Sequence, residues 1–142
     1  MRLRQPPWGA RRRPSGVVNV QDRPTAIELV DAVREFLADE VGPTLDGRLE
    51  FQNRVALNVL AIVARELELG AAQDIAQRAR LVALLGHDTV DDTADDTAAL
   101  EAELAAAIRA GALSDRGDEV LAHVRATVRE KLLVANPKYL ET

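Results

Sequence analysis

Cysteine is absent from the 142 residues, which removes disulfide scaffolds, thiolate metal sites and cysteine nucleophiles in one step. A reducing, cytoplasmic location is compatible with that composition. Aromatic residues make up only 3%, with one Trp, one Tyr and two Phe, so there is almost no material for base-stacking platforms on single-stranded nucleic acid. No apolar run approaches the length of a membrane span, no segment alternates as a strand does, and no internal repeat recurs. Gly-x-Ser-x-Gly, a P-loop, a Rossmann glycine set and His-Glu-x-x-His are missing as well.

What is present is helical. Thr25 and Glu28 have capping-box spacing, and Ile27, Val30, Val33, Leu37 and Val41 recur every three to four residues, which predicts a first helix from Thr25 to Val41, ended by Gly42-Pro43. Asp46-Gly47 turns into a second helix, 48 to 69, with Gly70 as its C-cap. The middle of that helix, Val55 to Ala64, is apolar at every position except Asn58, and a helix greasy on nearly all sides belongs in the centre of a bundle. A third helix follows from Ala71 to Leu85, with Ala72, Ile75, Ala79, Val82 and Leu85 inward, stopped by Gly86. A fourth, Thr97 to Ala110, buries Leu100, Leu104, Ala107 and Ile108 and closes at Gly111. Ser114 or Asp115 opens a fifth, burying Val120, Leu121, Val124, Val128, Leu132 and Ala135 up to Asn136-Pro137. The expected architecture is all-α: a single-domain bundle of about five helices around the central apolar one, occupying residues 21–142.

Residues 1–20 hold three Pro, two Gly and the Arg11-Arg12-Arg13 triplet with no apolar period, and are expected to be a disordered basic arm. Rival readings are a nucleic-acid or partner arm, a targeting segment, or a true start at Val17, Val18 or Val20. No apolar run follows the arginines as a secretory signal requires. Net charge is −5, yet six arginines against one aspartate lie in residues 1–23, leaving residues 24–142 at −10 by count. An acidic body is a poor ligand for nucleic acid or membrane unless its cations gather on one surface.

Candidate chemistry is sparse. Asp91-Asp92-x-x-Asp95-Asp96 resembles the aspartate-rich Mg²⁺ sites of isoprenoid synthases, but as the first turn of the fourth helix it equally suits the helix dipole. His87 and His123 are the only histidines. His87-Asp88 invites a base-plus-orienter reading, against that of a loop residue at a helix end; His123 reads as a surface or packing residue. No metal, cofactor or catalytic residue is assigned. On the second helix Arg54, Asn58 and Arg65 share a narrow polar strip. Asn58 should be hydrogen-bonded if buried, and the strip either ties to a neighbouring helix or meets a partner, for which Arg is well suited. Asn136, Pro137, Lys138 and Tyr139 form a tail that either straps back on the bundle or docks on another chain.

Five blocks taken together carry a resemblance: QDRPTAIELVDAVREFL, GRLEFQNRVALNVLAIVAREL, LVALLGHD, ELAAAIRAGAL and LAHVRATVREKLLVANPKYL, within residues 21–140. In order and spacing they resemble a family of small bacterial helical proteins encoded beside aminoglycoside-phosphotransferase-like kinases and acyl-CoA dehydrogenases. The resemblance implies a non-catalytic accessory subunit of a kinase that phosphorylates a hydroxyacyl-CoA in short-chain acid catabolism of the levulinate type. The kinase is the implied partner, with an acyl-CoA dehydrogenase of the same pathway as a second; neither nucleic acid nor membrane is expected. The arm at 1–20 lies outside the resemblance, and the loop from Asp88 to Asp96 is longer and more acidic than it leads one to expect. Alternatives from the residues alone are a small acyl-CoA- or metal-binding protein using His87, Asp88 and the acidic loop, and a self-associating structural or regulatory module.

Overall fold

Thr25 fixes where the first helix starts. In the computed structural model, which describes residues 23–87 and 96–141, the Thr25 hydroxyl accepts from the Glu28 amide at 3.2 Å while the Glu28 carboxylate accepts from the Thr25 amide at 2.7 Å. This is the reciprocal box expected of Thr-x-x-Glu. The first helix, α1, runs Ala26–Glu35 and widens into a π-helical turn, Phe36–Val41. There the Leu37 carbonyl accepts from the Gly42 amide and from Asn53 Nδ2 at 3.0 Å, which fastens the end of α1 to the next helix. The 3₁₀ turn Gly42–Thr44 leads into α2, Gly47–Leu85.

The second and third helices of the sequence reading are thus one helix of 39 residues, about 58 Å long. Gly70 does not cap it. A C-capping glycine takes a positive φ, and among the described glycines only Gly47, Gly86 and Gly111 do so. Ala71-Ala72-Gln73-Asp74 offers no turn chemistry after Gly70, so the helix continues through it. Gly86, at φ 74° and ψ 29°, is the real stop, with the His87 amide reaching back to the Val82 carbonyl at 3.1 Å.

Two more helices complete the described chain: α3, Asp96–Arg109, and, after a 3₁₀ turn at Ser114–Arg116, α4, Gly117–Ala135, followed by a 3₁₀ turn at Pro137–Leu140. Four α-helices therefore stand where five were expected, and no strand occurs among the described residues. α1, α3 and α4 each pack on α2, so α2 is the organising rod in topology. It is not a buried rod. Leu81, fully buried, and Leu84 meet Leu100 and Leu104 of α3 in the core, flanked by Val82, Leu85, Leu113 and Val120. The core sits at the C-terminal end of α2, whereas Val55 and Val59 in the apolar middle are 47% and 51% exposed. Ile75, expected inward, is 72% exposed, because the unbroken helix carries it away from the side that Leu81 and Leu84 present. No helix of the described residues is long and apolar enough to cross a membrane. The arm at 1–20, and Asp88 to Asp95 of the acidic loop, lie outside the described residues.

Two stability measurements follow. Leu81→Ala removes the one large side chain with no exposure among the described residues and should cost about 2–5 kcal/mol in urea unfolding. Gly70→Ala discriminates the continuous helix from a broken one: the new Cβ would meet only Glu66 Oε1, the end of a flexible side chain, at 3.1 Å. A gain of roughly 0.5–1 kcal/mol is expected, whereas a capping glycine would give a loss.

Candidate partner-docking surface

Polar groups tie α2 to α4, alongside the apolar contacts of Val120 and Val134. Arg80 forks onto Glu130, Nη1 to Oε1 at 2.8 Å and Nη2 to Oε2 at 2.6 Å, in a half-buried setting where a bidentate guanidinium fixes geometry as well as charge. Gln73 Nε2 donates to the Glu130 carbonyl at 3.2 Å. Two arginines cap helix C-termini across the interface: Arg65 Nε donates to the Val134 carbonyl at 2.6 Å near the end of α4, and Arg116 Nη1 to the Leu84 carbonyl at 2.9 Å at the end of α2. Each satisfies a carbonyl that the helix itself leaves open and sets a cation against the negative end of the dipole. Arg116 is held in turn by Glu119, Nη2 to Oε2 at 2.6 Å. That hydrogen bond and charge push Arg116 up from its ordinary pKa and hold the Glu119 carboxyl below the usual range.

This geometry turns α4 away from its apolar period, although Val120 and Leu132 stay half-buried. The residues facing α2 are His123, Thr127, Glu130 and Val134, while Leu121, Val124 and Val128, expected to be buried, are 44%, 44% and 50% exposed. The reason is that Arg80, Gln73 and Arg65 on α2 need acceptors, and α4 supplies them from its polar side. Arg125, Arg129 and Lys131 are exposed on the same helix, and none forms an ion pair with another described residue. α4 thus shows solvent an apolar row among cations. Among the described residues fifteen large apolar side chains are exposed against six buried apolar residues.

The residues singled out in the sequence divide accordingly. Arg65 is committed to Val134, so it holds the fold. Arg54 is exposed, with Glu50 one turn back at 3.7 Å, worth little in water. Asn58 is exposed rather than buried, which leaves its amide to water or a partner and removes the need for an internal hydrogen bond. In the tail, Asn136 is exposed and ends α4 with an extended backbone, Pro137 is half-buried, Lys138 is exposed and Tyr139 is 71% exposed. Arg54 and Asn58 lie beside the open valines of α2, and the tail beside the end of α4. His87 pairs with Glu103, Nε2 to Oε1 at 3.0 Å, on the surface. No group of three metal-ligating side chains forms among the described residues.

His123 was the signal least legible in sequence. It is buried in the α2–α4 contact, its Nδ1 without a hydrogen-bond partner, at the wall of an open depression of about 300 Å³ lined also by Arg80, Leu84 and Glu119. Burial, and secondarily the Arg80 charge, pushes its pKa down from the ordinary value, with Glu101 and Glu130 opposing.

In outline the chain is an all-α helical domain with a small apolar core at one end of α2, polar seams between α2 and α4, and apolar rows on its surface. A family model for a domain of unknown function, DUF6285, matches residues 43–139, and the chain belongs to that family. Comparison with curated proteins and with solved structures gives no match.

Because the folded pKa of His123 lies below the unfolded value of about 6.5, the unfolded chain takes up the proton first. Stability present above that pH is therefore lost as pH falls through the folded pKa. Unfolding free energies measured from pH 7.5 down to 5 should fall less steeply for His123→Gln than for wild type; parallel curves would remove His123 from the account.

Proposed function

We propose that the chain is a non-catalytic accessory subunit that binds and supports an aminoglycoside-phosphotransferase-like kinase acting on a hydroxyacyl-CoA in short-chain acid catabolism. The kinase and its substrate class come from the family resemblance of the five sequence blocks. The observation that carries a binding role is the inverted α4: its polar face is spent on α2, and Leu121, Val124 and Val128 face outward. Burying such a row stabilises a complex by about 25 cal/mol per Å² of apolar area removed from water. The cations Arg125, Arg129 and Lys131 beside it outnumber Asp118 and suit a partner surface that is acidic. Lys138 and exposed Tyr139 extend the same end of the molecule, and Tyr and Arg are the residue types that anchor interfaces. Catalysis rests with the kinase, to which this subunit lends surface.

Co-expression with an aminoglycoside-phosphotransferase-like kinase of the kind the resemblance implies tests the reading. The two chains should co-purify, with kinase activity raised over kinase alone. Val124→Asp combined with Arg129→Glu should weaken the complex at least about tenfold while leaving the helical circular dichroism unchanged. No co-purification and no gain in activity with the wild-type chain would overturn it.

A further inference from the structure

We propose that a second copy of this chain packs antiparallel across the N-terminal half of α2, through a face distinct from the one assigned to the kinase. Arg48, Gln52, Val55, Val59, Ile62 and Glu66 follow one another at alternating steps of four and three residues. That is the seam spacing of paired helices, over a length of about 27 Å. α4 runs antiparallel to α2 and covers it only from Arg65 onward, as the pairings of Arg65 with Val134, Gln73 with Glu130 and Arg80 with Glu130 show. The seam is therefore the part of α2 that α4 leaves uncovered.

Its charges name the occupant. Arg48 and Glu66 stand at the two ends of the seam, both exposed, and neither pairs with another described residue. A twofold axis at Leu57 brings Arg48 of each copy opposite Glu66 of the other, Val55 opposite Val59, and Gln52 opposite Ile62. Phe51 and Val63, both exposed, then flank the seam opposite one another. A parallel pair would set Arg48 on Arg48 and Glu66 on Glu66, which like-charge repulsion disfavours. Only the antiparallel arrangement is self-complementary, as a twofold interface requires. The row on α4, with Arg125, Arg129 and Lys131 beside it and Asp118 at its start, is the face assigned to the kinase.

Sedimentation of the full chain, alone and across a dilution series, reads this directly. The wild type should show a mass about twice 15.4 kDa. Arg48→Glu and Glu66→Arg, each turning two attractions into repulsions, should raise the dimer dissociation constant about tenfold. The double exchange restores the pair in reverse and should return to within about threefold of wild type. Val59→Asp should be monomeric with unchanged helical circular dichroism. A single-chain mass at about 100 μM overturns the proposal. So does a dimer unaffected by either single exchange, or a double exchange that fails to recover. Kinase co-purification by the monomeric Val59→Asp variant separates this outcome from that of the α4 face.

Discussion

The fork of Arg80 onto Glu130 decides how the rest of the molecule is arranged. With Arg65 on the last turn of α4 and Arg116 on the last turn of α2 it forms a polar seam that fixes the azimuth of α4. Ion pairs in a half-buried seam contribute less to net stability than their Coulomb energy suggests, because desolvation offsets most of it. What they do well is select one geometry, since a rotated α4 would leave Arg80 and Gln73 without acceptors.

Once α4 is held by its polar side, its apolar side has nowhere to go inside the chain. The same holds for the first half of α2, which reaches beyond the end of α4 with its valines uncovered. The hydrophobic core shrinks to Leu81, Leu84, Leu100 and Leu104 with their neighbours, at one end of a helix about 58 Å long. Core size, helix length and exposed rows are then consequences of one choice of contact. The two rows differ in what surrounds them: mainly cations, with Asp118 at the first turn, on α4, and opposite charges at opposite ends on α2. That difference is the ground on which different partners are proposed for them.

Local signals in the sequence translate directly into structure. The Thr25–Glu28 box, the stop at Gly86, the pair Leu100 and Leu104, and the break at Asn136-Pro137 are each set by neighbours within a turn or two. Gly70 was misread because glycine alone does not end a helix; it needs a following segment that prefers a turn, and Ala71-Ala72-Gln73-Asp74 does not. The faces of α4 were misassigned for a different reason. Period shows which side of a helix is apolar, but which side meets α2 depends on Arg80 and Gln73, some fifty residues away in sequence. The matched family region, 43–139, spans four of the five blocks that carry the resemblance and leaves α1 outside.

Because the chain contains no cysteine, single thiols report the orientation of α4 without background. His123→Cys and Val124→Cys are adjacent positions about 100° apart around that helix, one buried and one exposed. In the dilute chain a thiol reagent should modify Cys at 124 rapidly and Cys at 123 slowly, and added kinase should protect 124. Rapid modification at 123 with protection at 124 in the chain alone would mean that the apolar face points inward, and the account would fail at its root.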